Sequence, residues 1–233
     1  MKTAIIASCL GLAMGSAVHA TPILFSYTTG GLGQGTLADS IVKSASGETV
    51  TATAWSLTGN SDTTLQTAAL GQYTGLGLGV CNQVELKGSC GAPQHEVDDN
   101  GQFDFVLFTF SSPVTSVSIT INPVCNCDTD ASYYVGNGIN PLGSTLAALG
   151  AATTSDETTK DVTRTINLTG LGSGVTSVLF GASILGNDNY FKIQSLSVTE
   201  ATVTPEPATF GIAGLALIGV GMIRRKAGKS VTQ

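Results

Sequence analysis

Charged residues are scarce in this chain, at 11% of 233 residues against roughly 25% in an ordinary soluble domain. Hydrophobic residues reach 42%, and this combination excludes an intrinsically disordered acidic chain. Lysine and arginine together number only 10, which excludes a nucleic-acid-binding protein because such proteins need a basic surface. The length suits one folded domain of about 180 residues or two small ones.

Histidine is rarer still, since His95 is the only one after the first 20 residues. A hydrolase triad would have to use it, yet the sequence has no Gly-x-Ser-x-Gly nucleophile elbow. No second histidine in that segment supports a catalytic zinc site, so we predict that the protein is not an enzyme. The alternative is a secreted glycan-active hydrolase that uses a carboxylate pair about 5 to 9.5 Å apart. Glu96 with Asp104 or Asp130 would be that pair.

Both ends of the chain have the composition of targeting segments. Residues 1–20 combine Lys2, an apolar run and a Val-His-Ala end, which predicts a signal peptide removed before Thr21. Near the other end, the apolar stretch 208–223 would span about 24 Å as a helix, slightly less than a bilayer core. It predicts a membrane helix whose stop signal is the basic cluster Arg224, Arg225 and Lys226.

The segment 204–226 resembles the PEP-CTERM sorting signal of Gram-negative bacteria that produce exopolysaccharide. The motif corresponds to Pro205, Glu206 and Pro207, followed by the apolar stretch and the basic cluster. The resemblance implies recognition by an exosortase in the inner membrane, removal of the tail, and transfer to the cell surface or extracellular matrix. Before processing, residues 227–233 would form a cytoplasmic tail and the rest of the protein would lie outside.

Between these ends, the chain shows short β-type runs separated by Gly, Asn, Asp and Ser. The predicted strands are 23–28, 49–56, 103–110, 114–121, 131–136, 161–168, 175–184 and 190–198. Alternation places Val50, Ala52 and Ala54 on one face of the second run and its threonines with Trp55 on the other. Residues 61–70 are ambiguous and allow a short helix.

The predicted fold is therefore all-β. We expect an antiparallel two-sheet sandwich over residues 21–203, jelly-roll-like, flanked by an N-terminal signal helix and a C-terminal membrane helix. This part of the chain is distinctly acidic, because residues 21–204 hold 5 basic and 15 acidic side chains, a net charge of 5 − 15 = −10. Such a domain repels phosphate backbones and anionic lipids and suits hard cations.

The densest polar patch covers residues 95–104 and is followed by an Asp-Thr-Asp segment at 128–130. Clustered carboxylates and an amide suit calcium, which takes six to eight oxygen ligands. The candidate ligands for a structural calcium ion are Asp98, Asp99, Asn100, Asp128 and Asp130. The alternative is that residues 98–100 cap a hairpin turn while the later aspartates face water.

The same region resembles a group of exosortase-dependent surface proteins. The matching pieces are residues 95–115, the segment 128–136 and the upstream TATAWS run. Cysteines directly before the Asp-Thr-Asp segment depart from that pattern. The resemblance implies location at the cell surface and brings no catalytic activity with it.

Four cysteines remain once the signal peptide is removed, and an even number in an exported domain suggests disulfides. They are Cys81, Cys90, Cys125 and Cys127. We expect a Cys81–Cys90 bridge around a polar loop, and direct pairing of the other two requires a bend in the chain. A four-cysteine zinc site is the competing interpretation.

The leading hypothesis is a non-catalytic surface or exopolysaccharide-matrix protein that has a structural or a glycan-binding role. Sugar binding needs aromatic platforms, and Trp55 is the candidate that stands on an otherwise polar strand face. The tyrosines of the chain could also form such platforms, but packing in the hydrophobic core explains them equally well. Apart from calcium, the sequence suggests no cofactor, and its expected partners are the exosortase, exopolysaccharide and the inner membrane before processing.

Overall fold

Regular structure in this protein is almost entirely β-strand, as seen in a computed structural model. The structure describes residues 21–30, 36–59, 64–87, 95–155, 162–186 and 188–201. Within these ranges it has fourteen strands and two short 3₁₀ helices, at Glu85–Lys87 and Leu146–Leu149. Every pair of strands among them is antiparallel. The prediction of an all-β, antiparallel fold is confirmed.

The strands are, in chain order, β1 Ile23–Ser26, β2 Leu37–Ala38, β3 Ser40–Ala45, β4 Glu48–Leu57, β5 Leu65–Thr67, β6 Ala69–Tyr73, β7 Gly77–Cys81, β8 Val97–Asp98, β9 Asp104–Pro123, β10 Ala131–Gly136, β11 Thr153–Ser155, β12 Arg164–Asn167, β13 Val175–Ala182 and β14 Tyr190–Glu200. Hydrogen bonds join them into one network whose longest path is β11-β10-β13-β9-β14-β7-β6-β2. Strand β4 pairs with β9 and carries β3 and β5, while β1 and β8 pair with β14 and β12 pairs with β9.

Strand β9 is the central element, and its two halves have different neighbours. The first half pairs with β4 and β13, and the second half pairs with β12 and β14. The sequence predicted two strands here, at 103–110 and 114–121, with Ser111, Ser112 and Pro113 between them. The chain stays extended through them because the buried Glu48 carboxylate accepts hydrogen bonds from the N–H groups of both serines.

The main hydrophobic cluster is built from every second residue of the strands, as the alternating runs predicted. Its members include Val50, Ala52 and Ala54 on β4 and Val117, Ile119 and Ile121 on β9, each at most 2% exposed. Removing such side chains from water is the main favourable term in folding, at about 25 cal/mol per Å² of apolar surface. Strict alternation therefore determines which face of each strand is buried.

A second, smaller cluster lies on the opposite face of β9. Phe105 and Leu107 belong to it, whereas their neighbours Val106 and Phe108 belong to the main cluster. Ile139 and the 3₁₀ helix at Leu146–Leu149 pack against this second cluster. This part of the sheet is consequently apolar on both faces, which explains why FDFVLFTF is the most apolar of the predicted strands.

Two predictions about this part of the chain need correction. The helix allowed over residues 61–70 is wrong where the structure describes it, because residues 65–67 and 69–73 form strands β5 and β6. Pairing of β5 with β4 and burial of Leu65 and Leu70 outweigh the weak helical spacing. In addition, the two strands expected at 103–110 and 114–121 form a single one.

Several other predictions are not tested by the fold. The two-sheet, jelly-roll-like sandwich stays a prediction. The signal helix, the membrane helix and the tail at 227–233 lie outside the described residues. Among the residues that are described, no helix is both long enough and apolar enough to cross a membrane.

Candidate functional site

The predicted calcium ligands begin at the end of β8. Asp98 is the last residue of this strand, and its Oδ1 accepts a hydrogen bond from the Asn100 backbone N–H at 2.9 Å. This is the turn-capping arrangement that competed with the calcium hypothesis. Asn100 is exposed, whereas Asp98 and Asp99 are buried.

Asn189 brings Asp99 and Asp130 together. Its side-chain N–H donates to Asp99 Oδ2 at 2.7 Å, and its Oδ1 accepts from the Asp130 backbone N–H at 2.8 Å. Asp130 also lies 3.8 Å from the Arg164 guanidinium. Asp128 Oδ1 accepts from the next backbone N–H in the chain. Protein donors therefore already surround this group of carboxylates.

Asp98 also faces a different carboxylate, that of Asp104 at the start of β9. The Asp98 backbone N–H donates to the Asp104 carboxylate. The Asn82 side-chain N–H approaches Asp104 Oδ1 at 3.4 Å, and the Asn82 backbone N–H donates to Glu85 Oε2 at 3.0 Å. Asp104 has no exposed surface at all, and its Oδ2 has no hydrogen-bond partner.

Burial changes the protonation of both carboxyl groups. Burial, with a smaller contribution from the Glu85 carboxylate, raises the pKa of Asp98 to about 8, against the hydrogen bond from Asn100. Burial likewise raises the pKa of Asp104 well above its usual range, and the carboxylates of Asp98 and Glu85 add to the effect. Removal from water penalises the charged form of an acid, which is why burial dominates at both positions.

Lys192 is a buried cation close to these acids that the sequence did not reveal. It is 1% exposed, donates a hydrogen bond to the His95 carbonyl oxygen, and lies 4.2 Å from the centroid of the Tyr73 ring. Burial lowers its pKa to about 8, and the carboxylates of Glu96 and Asp98 act in the opposite direction. Lysine in a strand usually reaches solvent, so only the tertiary structure identifies it.

A cavity of about 310 Å³ opens beside the acidic residues. Asn82, Glu85, Asn100, Gly101 and Gln102 line it, together with Thr58, Gly59 and Val84. Gln102 is 6% exposed, and its Oε1 has no hydrogen-bond partner. Gln102 and Asp104 belong to the predicted polar patch, whereas Asn82 and Glu85 come from the loop after Cys81 and were not predicted.

Cys81, Glu85 and His95 form a second group of metal-binding side chains, with ligand atoms within 4.8 Å of one another. His95 Nδ1 lies 3.6 Å from Glu85 Oε2, and His95 comes two residues before β8. The Cys81 sulfur is disulfide-bonded, so it does not supply a thiolate. A metal ligand at cysteine must be the thiolate form.

Two of the remaining cysteines lie within the described residues. Cys125 and Cys127 are bonded to each other across a bend, with Cα atoms 5.0 Å apart. Cys90 lies outside the described residues, so its pairing with Cys81 stays a prediction. A four-cysteine zinc site would need four thiolates, which this arrangement does not provide.

Trp55 lies on β4, on the face that the sequence predicted. It is partly exposed beside Thr51 and Thr53, and its indole N–H donates to Thr53 Oγ1 at 2.9 Å. The ring also packs against the second hydrophobic cluster. Part of the indole is therefore held in place while another part faces solvent.

The sorting residues Pro205, Glu206 and Pro207 and the basic cluster at 224–226 lie outside the described residues. Comparison with known proteins provides the finding that bears on them. No curated protein and no solved structure matches the chain. A family described as the PEP-CTERM protein-sorting motif matches residues 203–226. The C-terminal segment is therefore a PEP-CTERM sorting signal, the kind of signal that an exosortase recognises.

Proposed function

We propose that this chain is an exosortase-sorted protein of the cell surface or exopolysaccharide matrix whose β-rich domain binds glycan without catalysing a reaction. The match of residues 203–226 to the PEP-CTERM motif is the observation that carries the proposal. Such a signal implies export and sorting to the surface, after anchoring in the inner membrane. In an exopolysaccharide-producing bacterium, the polymer that surrounds the sorted protein is glycan.

Trp55 supports the glycan-binding part of the proposal. The hydrogen bond to Thr53 and the packing against the second cluster hold the ring in one orientation. A fixed aromatic surface loses little conformational freedom when a ligand stacks on it. Thr53 supplies a hydroxyl group beside the ring and Thr51 lies farther along the same strand face, which suits a sugar that is apolar on one side and polar at its edges.

The carboxylate geometry supports a non-catalytic role. A glycosidase places two carboxylates around the scissile bond, where both contact the substrate. Asp104 has no exposed surface, so a pair made of Glu96 and Asp104 has one member that a polysaccharide does not reach. In the other pair, Asp130 lies 3.8 Å from the Arg164 guanidinium, and its backbone N–H donates to Asn189 Oδ1, so this residue is held by protein contacts.

The two-sheet sandwich forms the structural part of the proposal. Strand β9 supports it, because its two halves pair with different strands while both contribute side chains to the main hydrophobic cluster. Two layers that share one long strand would enclose that cluster between them. The outer face of β4 would then present Trp55 to the matrix.

Retention of the protein on the producer's own exopolysaccharide tests this function. We expect Trp55→Ala to lower retention by about tenfold, because loss of one stacking contact costs roughly 1 to 1.5 kcal/mol. Trp55→Phe keeps an aromatic face and should retain most of the binding. Leu24→Ala, at a position 64% exposed on β1, is the matched surface control and should change nothing.

Retention of Trp55→Ala equal to that of the wild type would overturn glycan binding at this face and leave a structural role in the matrix. Release of shortened glycan by the purified wild-type protein would overturn the non-catalytic assignment. Neither result would change the sorting assignment, which depends on the C-terminal segment alone.

A further inference from the structure

Two buried oxygen atoms near the start of β9 lack partners. Asp104 Oδ2 and Gln102 Oε1 accept no hydrogen bond, although their residues are 0% and 6% exposed. An unsatisfied buried acceptor costs about 1–3 kcal/mol, and an ionised one costs more. Native proteins rarely leave such atoms unpaired without a water, an ion or a functional reason.

Asp104 and Gln102 are separated by one residue in the chain, and contacts of Asp104 connect it to Asn82 and Asp98. The Asn82 side-chain N–H is the partner of Asp104 Oδ1. The Asp98 backbone N–H donates to the same carboxylate, so Asp98 lies within hydrogen-bonding reach of Asp104. Gln102 lies two residues before Asp104 and lines the cavity that Asn82 and Glu85 also line. Of the three residues, Gln102 lines the cavity, whereas Asp98 and Asp104 are buried and are not among its lining residues. The Asp98 carboxylate lies close enough to Asp104 to raise its pKa.

We propose that Asp98, Gln102 and Asp104 bind one divalent cation of the calcium class. These three side chains offer only oxygen ligands, which hard cations prefer over nitrogen and sulfur. Calcium takes six to eight ligands in flexible geometry, and waters in the 310 Å³ cavity would complete its shell. The net charge of −10 over residues 21–204 attracts cations to the domain.

The proposed site shares only Asp98 with the five ligands predicted from the sequence. Asp99 accepts hydrogen bonds from Asn189, and Asp130 lies beside Arg164, so that group of acids already has protein donors. Near Asp104, by contrast, the neighbouring carboxylates of Asp98 and Glu85 disfavour its charged form, which a cation would reverse. This inference does not rest on the proposed glycan binding.

Calcium binding to the purified full-length chain, measured by isothermal titration calorimetry after chelation and dialysis, tests the proposal. We expect one ion per chain and binding of magnesium weaker by about tenfold or more, because magnesium demands stricter geometry. Asp104→Asn keeps the shape of the side chain and should weaken calcium binding by about tenfold or more. Gln102→Ala removes a neutral ligand and should weaken it several-fold.

Asp128→Asn is the control, because Asp128 belongs to the group of acids around Asn189. The calcium affinity of this variant should equal that of the wild type. If Asp104→Asn does not fold, Gln102→Ala and its control decide the question. Absence of calcium binding by the wild type would overturn the site. Loss of binding in Asp128→Asn together with wild-type affinity in Gln102→Ala would also overturn it, by moving the ion to the group around Asn189.

Discussion

Asp98 illustrates at the residue scale what burial does to a carboxyl group, since only 4% of its surface is exposed. Its pKa of about 8 in the folded protein lies above the value of about 3.9 in an unfolded chain. Between these two values, the folded state binds one more proton than the unfolded state. Stability therefore falls as the pH rises from about 4 to 8.

Urea unfolding between pH 4 and 8, with a chelator present, measures this effect. We expect the free energy of unfolding of the wild type to fall across this range, with each proton contributing at most about 1.4 kcal/mol per pH unit. Asp98→Asn removes one titrating group and should flatten the slope, whereas Asp39→Asn, at an exposed position, should not. Stability that stays level or rises with pH in the wild type would contradict the raised pKa.

At the scale of the elements, strand β13 depends on the absence of a side chain at Gly181. This glycine pairs with Phe105 on β9, between the buried residues Phe180 and Ala182. A Cβ atom at this position would overlap the carbonyl oxygen of Asp104 and the Phe105 ring. The close approach of β13 to β9 therefore requires glycine here.

We predict that Gly181→Ala lowers the free energy of unfolding by roughly 1–3 kcal/mol, because the two strands must separate to accept the methyl group. Urea unfolding of the wild type and the variant measures it. The matched control is Gly136→Ala on β10, where the nearest atom to the new Cβ would be an Ile139 side-chain carbon at 3.4 Å. Equal stability of Gly181→Ala and Gly136→Ala would show that this strand contact is looser than the structure indicates.

At the scale of the whole molecule, the chain separates into a folded domain and a sorting segment with different chemistry. The domain carries the acidic charge, whereas the segment matched over 203–226 carries the Pro-Glu-Pro motif and the basic cluster. The matched segment is of the kind that an exosortase recognises. Sorting and domain stability should therefore respond to different substitutions.

Replacing Pro205 and Pro207 by alanine and Glu206 by glutamine should leave the protein in the inner-membrane fraction instead of at the cell surface. The expected reason is loss of exosortase recognition while the domain stays unchanged. Cell fractionation and immunoblotting in the producing bacterium measure the location and length of the protein. The control is Glu200→Gln at the end of β14, which should be sorted normally. Surface delivery of the triple variant would contradict sorting through this motif.

Local patterns predicted much of the fold because they depend on neighbouring residues. The alternation in β4 placed Val50 and Trp55 on opposite faces correctly, and the apolar run 103–110 lies within the central strand except for its first residue. The same local view divided β9 at Ser111, since the support that Glu48 gives there comes from a residue 63 positions away in the chain. It also admitted a helix at 61–70, where pairing with β4 determined the result.

For the candidate site, too, local features were predictable from the sequence and long-range contacts were not. The polar patch at 95–104 was visible in the sequence, and so were its carboxylates. The contacts that each carboxylate makes were not visible, because Asn82, Asn189 and Lys192 come from distant strands and loops.

By itself, the sequence determined the all-β class, the acidic character of the domain and the PEP-CTERM sorting signal, because periodicity, composition and a contiguous motif are local properties. Only the tertiary structure decided that Asn189 joins Asp99 to Asp130 while Asp98 faces Asp104, and that Lys192 is buried. Long-range strand pairing brings these residues together, and burial then sets their charge.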